Sequence, residues 1–278
     1  MDLQHVATAS GYKVPLYWYP APGEAPTLVV MAALGTPCRK YENLASALNA
    51  QGLNVALIEQ RGQDKSALRA SRQRDWGFAD VLTHDLPAVF DWIEEQVPGA
   101  PLYLLGHSLG GHYACMMAGL MPERIAGVIV VATGSPWYKA YPPKMRRQIR
   151  LLIALLPLIM RLCGYYPGKR LGFGDRDART LMRDWLDMAR SNTYRARGLD
   201  RDLDAAMAEY EGPVLSIRLA EDPFAPEAAM RAVTDKFRRA SVTKRVITAD
   251  ELGDKADHFR WAKRGTVVAE SVAEWLRG

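Results

Sequence analysis

Ser108 stands in the stretch GHSLG, residues 106–110, with a glycine two positions before it and another two positions after. A serine hydroxyl is a weak nucleophile: it attacks a carbonyl only when a base takes its proton and an acid orients that base. The chain offers five histidines as bases: His5, His84, His107, His112 and His258. Carboxylates that could orient one of them include Glu221 and Asp222 in AEDPFAP, and Asp254 and Asp257 in ELGDKADHFRW. The chemistry these types permit is acyl transfer through a covalent acyl-enzyme. Which of them can meet depends on the elements that carry them.

Short runs of apolar residues without polar alternation read as strands buried on both faces. They occur at TLVVMA (27–32), NVALIE (54–59), PLYLLG (101–106), GVIVVA (127–132), PVLSIRLA (213–220) and TKRVITA (243–249). Between and after them lie helical stretches at 41–52, 80–97, 109–121, 226–237 and 266–277. This alternation predicts an α/β fold with a mainly parallel, doubly wound sheet, and VATAS with VPLYWYP predicts an antiparallel start. Residues 135–205 interrupt the alternation and are too long and too helical for a loop. They read as a helical cap over the carboxyl end of the sheet, where ligands of open α/β sheets sit. The expected organisation is a core of 1–134 and 206–278 with a cap of 135–205.

On this frame Ser108 falls at a strand-to-helix turn. Flanking glycines relieve the crowding of such a turn, and the following helix N-terminus favours developing negative charge. His107 and His112 lie beside the turn and would have to fold back on it; His5 lies in the N-terminal stretch and His84 inside a helix. His258 follows the last strand, in the loop before the final helix, and is the expected base. The acid should follow PVLSIRLA, where Pro223 and Pro226 fix a loop; Asp222 is the expected residue, Glu221 its rival, with Asp254 and Asp257 as weaker substitutes.

The order Ser108, Asp222, His258, together with GHSLG, resembles the α/β-hydrolase superfamily over nearly the whole chain. AALGTP, RDWGF, YLLGHSLGG, GSPWYKAYPP, RLGFGDR and ADHFRW resemble bacterial α/β-hydrolases near the serine aminopeptidase and monoacylglycerol-lipase-like branch. The resemblance implies an oxyanion hole from the N–H of Leu109 and an N–H in VVMAALG, assigned to Leu34, although Ala32 and Ala33 stand where the family often has His-Gly. EQRGQDKS (59–66) resembles a family loop in which Asp64 replaces a glycine; Arg61 and Gly62 are read there as structural.

The bulk properties exclude several classes. The 278 residues are 49% hydrophobic, enough for one large core and no low-complexity tract. Cys38, Cys115 and Cys163 are widely spaced, which argues against a disulfide framework or a metal site. The N-terminal sequence lacks the pattern of a secretion signal, so a cytoplasmic location is expected. LLIALLPLIM, the longest apolar run, is only ten residues with a central proline, short of the ~20 that span a bilayer, so no stable membrane insertion is expected.

Residues 135–204 hold 15 Lys and Arg against 7 Asp and Glu, leaving 21 against 24 elsewhere. No nucleic-acid motif accompanies this charge, so no nucleic-acid partner is expected. MRRQIRLLIALLPLIMRLCGYY reads as an apolar helix pair broken at Pro157 that packs over the site. Its inner face is a candidate acyl pocket, with Trp137, Tyr138 and Tyr141 at the mouth. The expected reaction is hydrolysis of a small or medium carboxylic ester by a monomer or homodimer, without metal or organic cofactor. Aminopeptidase or amidase action, acyl transfer to an alcohol, and an idle binding homologue remain alternatives.

Overall fold

The computed structural model describes residues 2–278. Each expected apolar run forms a strand, and their pairing builds one eight-stranded sheet. In chain order the first six strands are β1 (Asp2–Ala7), β2 (Lys13–Tyr19), β3 (Thr27–Met31), β4 (Asn54–Ile58), β5 (Leu102–His107) and β6 (Gly127–Val131). A two-stranded ribbon, β7 (Tyr166–Pro167) and β8 (Arg176–Asp177), stands apart. β9 (Val214–Leu219) and β10 (Val242–Ile247) complete the large sheet. Its order is β1-β2-β4-β3-β5-β6-β9-β10. β1 and β2 pair antiparallel, β2 joins β4 antiparallel, and every later pairing is parallel. The doubly wound α/β reading and its antiparallel start both hold.

The central parallel strands are apolar without alternation because they are covered on both faces, whereas the edge strand β10 is largely exposed. β3, β4 and β6 are buried at every position. One apolar cluster lies against the helices Leu86–Gln96 and Leu109–Leu120, and a second against Glu42–Ala50 and Gly265–Arg277. The expected helix over 80–97 is regular only from Leu86. Val81–Asp85 form a wide π-type turn before it. Pro87 has no N–H to give the carbonyl four residues back, and the widened turn accommodates that loss.

Between β6 and β9 the chain is mainly helical, with Pro143–Cys163, Arg179–Ser191 and Leu203–Glu209 as its longest helices. The expected break at Pro157 is absent: Pro143–Cys163 is one helix of 21 residues. A proline here leaves the carbonyl of Ile153 without its helical donor. Arg190 of the neighbouring helix supplies one, its Nη2 lying 3.2 Å from the Ile153 oxygen. Leu156 and Met160, on the same helix, are fully buried in the cluster that fills one face of the sheet, each worth about 1.5–3 kcal/mol of burial. Among the described residues no helix is long and apolar enough to cross a membrane.

Candidate active site

Ser108 occupies the turn between β5 and the helix Leu109–Leu120, with φ 51° and ψ −112°. A non-glycine residue in this region is strained. Three glycines make the turn sterically possible. A Cβ on Gly106 would come within 2.2 Å of the Gly110 carbonyl carbon, one on Gly110 within 2.3 Å of the Met31 oxygen, and one on Gly111 within 2.0 Å of Thr133 Oγ1. The helix is thus pressed against the ends of β3, β5 and β6, and the Ser108 N–H is tied to the Val131 carbonyl at 3.1 Å.

His258 and Asp222 are 36 positions apart in sequence, yet His258 Nδ1 lies 2.7 Å from Asp222 Oδ2. Asp222 Oδ1 accepts the Phe224 N–H at 2.8 Å, which fixes the carboxylate plane. Trp261 Nε1–H donates to the His258 carbonyl at 3.1 Å and holds the loop from behind. The rings of Phe224, Phe259 and His107 lie 5.4, 4.8 and 4.7 Å from the imidazole. Asp222 and His258 are both buried. With Nδ1 held by the carboxylate, Nε2 is the nitrogen left for proton transfer. Ser108 and His258 line the same two cavities.

The other candidates are engaged elsewhere. Glu221 accepts the Ala256 N–H at 3.0 Å, Asp254 pairs with Arg260, and Asp257 accepts the N–H groups of Phe259 and Arg260. His112 Nδ1 lies 2.5 Å from the Tyr194 hydroxyl, and burial lowers its pKa to about 4. His5 is exposed on β1, and His84 lies in the π-type turn. Arg61 lies away from both cavity linings: its Nε and Nη2 each lie 2.7 Å from an oxygen of buried Asp85, and its guanidinium stacks 4.7 Å from the Tyr12 ring.

One arrangement has no sequence signal. Tyr41 is buried, and its hydroxyl accepts the Ala33 N–H at 3.1 Å and lies 2.6 Å from His107 Nδ1. Burial pushes the phenol pKa up, so the group keeps its proton, with the Thr36 side chain and His107 Nδ1 both beside it. The same burial, with His258 beside it, drives the His107 pKa well below the usual histidine range. Tyr41 so links the loop of Ala33 and Leu34 to the residue before Ser108. The N–H groups of Leu34 and Leu109 face no protein acceptor among the described residues.

The larger cavity, about 480 Å³, is lined mostly by apolar groups, among them Leu34, Tyr141, Ile149, Leu152, Phe173 and Trp185. A smaller one of about 320 Å³ includes Gly35 and Thr36. Tyr141 lines the larger cavity, its hydroxyl reaching the Ser135 and Phe224 carbonyls at 3.0 and 2.8 Å. Trp137 and Tyr138 line neither cavity; the Lys139 ammonium sits 5.7 and 5.9 Å from their rings instead. Gln148, Phe173 and Trp185 also line the larger cavity; Gln148 lies in the apolar stretch read over the site and Phe173 in RLGFGDR, but neither was singled out as a lining residue, and Trp185 stands in no motif.

An eight-stranded sheet in this order, a strained serine turn after β5, an acid after β9 and a histidine after β10 together define the α/β-hydrolase fold. The chain belongs to the serine aminopeptidase S33 family, whose profile matches residues 24–249. It is 26% identical to mouse (Mus musculus) monoglyceride lipase over 192 residues, 69% of this chain and 59% of that enzyme. The matched stretch thus spans under two thirds of the curated relative's length. In three dimensions it resembles DcsB in complex with its substrate analogue, at TM-score 0.69 and 16% identity, covering 99% of this chain and 98% of the other. The monoacylglycerol lipase of Paleococcus ferrophilus is similar at TM-score 0.62 and 19% identity, over 99% and 98%.

Proposed function

We propose that the protein is a serine hydrolase of carboxylic esters whose acyl group is apolar and of small or medium length. The observation that carries this reading is the strained Ser108 sharing a cavity with His258, whose Nδ1 is held at 2.7 Å by Asp222. Ser108 Oγ attacks the ester carbonyl carbon while His258 Nε2 takes its proton. Asp222 keeps the imidazole oriented and stabilises its charge. The N–H groups of Leu109 and Leu34 receive the oxyanion, each worth about 2.7–4 kcal/mol at the transition state. The tetrahedral intermediate expels the alcohol, which leaves with the proton from His258. Water, deprotonated by His258, then attacks the acyl-enzyme; Ser108 leaves with the proton returned and the carboxylic acid is released. No step requires a metal or organic cofactor.

The segment 135–205 acts as the cap, and its inner face with Tyr141 holds the acyl chain. The smaller cavity, with Thr36 and backbone groups at its wall, suits the alcohol portion. Neither lining includes an Asp or Glu that would receive the α-ammonium group of a peptide substrate, which favours an ester over an aminopeptidase substrate. The monoglyceride lipases among its relatives agree with that choice.

A panel of p-nitrophenyl esters of increasing chain length, with aminoacyl amides and a Ser108→Ala control, tests the reading. Expected is ester hydrolysis that rises beyond acetate and vanishes in Ser108→Ala. Activity falling steadily beyond acetate refutes the acyl pocket, and faster cleavage of the amides refutes the ester assignment.

A further inference from the structure

The helix Pro143–Cys163 buries one apolar face and exposes another. Ile149, Leu156 and Met160 are buried, whereas Leu151, Leu155, Leu158 and Leu162 are 58, 46, 58 and 66% exposed. At ~100° per residue these four leucines fall within an arc of about 60°, opposite the buried three. Four of the nine large hydrophobic side chains exposed among the described residues are therefore in one stripe of one helix. Solvated surfaces scatter such residues singly; a stripe of this kind marks an interaction surface.

Charge selects the occupant. The helix contains no Asp or Glu and carries Lys144, Arg146, Arg147, Arg150 and Arg161, all exposed. By the same spacing Lys144 and Arg147 continue the leucine stripe at its N-terminal end, and Arg150 and Arg161 flank one side of it. A second copy of this chain laid on the stripe would bring these like charges together. An anionic lipid surface would bury the leucines at the headgroup boundary and meet the cations with opposite charge. A helix lying in that plane needs no transmembrane length.

We propose that this outer face of the helix is a docking surface for anionic phospholipid membranes. Leu151 belongs both to the stripe and to the lining of the larger cavity, so docking sets the cavity beside the lipid from which an apolar ester would enter. The contact itself is independent of the catalytic reading, because it is measured without turnover.

Cosedimentation of the full chain with vesicles of phosphatidylglycerol and phosphatidylcholine in equal parts tests it, against vesicles of phosphatidylcholine alone. Binding to the mixed vesicles is expected, with at least about tenfold weaker binding to phosphatidylcholine and weakening as salt is raised. The triple variant Leu155→Gln, Leu158→Gln, Leu162→Gln alters only exposed positions outside the cavity lining. It should keep the wild-type melting temperature and lose affinity about tenfold or more. Arg147→Glu with Arg150→Glu should lose affinity only for the anionic vesicles. No vesicle binding, or equal binding by the triple variant, overturns the proposal. A dimer in size-exclusion chromatography that the triple variant dissociates, with no vesicle binding, assigns the face to self-association and overturns it equally. Retained binding with no esterase activity would leave the membrane surface standing and refute only the hydrolase reading.

Discussion

Tyr41→Phe removes one oxygen and leaves two buried polar groups without partners. The Ala33 N–H loses its acceptor and His107 Nδ1 loses its partner, bonds of 3.1 and 2.6 Å. Tyr41 is 1% exposed, so no solvent can replace the hydroxyl without repacking. An unsatisfied buried group costs about 1–3 kcal/mol, which places the loss at about 2–6 kcal/mol. For a chain of this size each kcal/mol lowers the melting temperature by about 2–4 °C. The variant should therefore melt at least about 4 °C below wild type by calorimetry. Its kcat should fall about tenfold with KM little changed. Ala33 precedes the proposed donor Leu34, and a shifted oxyanion donor gives up part of the 10²–10³-fold effect of one removed outright. A melting temperature within a degree of wild type together with wild-type kcat would refute the claim that this hydroxyl holds the loop against the serine turn.

Three further outcomes follow from other parts of the structure. Arg61→Ala strands the buried Asp85 carboxylate and should cost about 3–5 kcal/mol in urea unfolding, whereas Arg61→Met with Asp85→Leu should recover most of it; equal losses in both would contradict the pairing. His112 has a pKa of about 4 when folded against an ordinary 6.5, because burial disfavours its charged form. The unfolded chain thus binds this proton more readily between pH 6.5 and 4. Stability from this residue is complete above pH 6.5 and declines by up to about 3 kcal/mol on acidification to pH 4; His112→Gln should flatten that slope, and an unchanged slope would exclude His112 as its source. Gly106→Ala drives a Cβ into the Gly110 backbone at 2.2 Å and should yield no soluble folded protein; a variant with normal expression and melting would show that the turn can relax.

The centre of the sheet was legible because its strands are buried on both faces, which leaves uninterrupted apolar runs such as TLVVM and GVIVV. Ser108 was legible because close approach of a helix to three strand ends forces glycine at fixed spacing. Asp222 and His258 could be picked out only by their places after β9 and β10, since nothing local separates Asp222 from Glu221; the 2.7 Å contact with His258 belongs to Asp222. Local rules misread Pro157, because its cost is met by Arg190, 33 positions on, reaching the Ile153 carbonyl. Tyr41 and His107 were equally invisible: each is an ordinary buried aromatic in sequence, and their bond crosses 66 positions. Of the three aromatics at the start of the 135–205 segment, Tyr141 lines the cavity and Trp137 and Tyr138 do not, a distinction that sequence carries no rule for.

The central claim is that Ser108 is an activated nucleophile. The folded protein should be treated with a fluorophosphonate probe and its peptides mapped by mass spectrometry. The account predicts one adduct, on Ser108, formed by native protein and lost on heat denaturation, in Ser108→Ala and largely in His258→Ala. Absence of label on Ser108 in native, folded protein would contradict it.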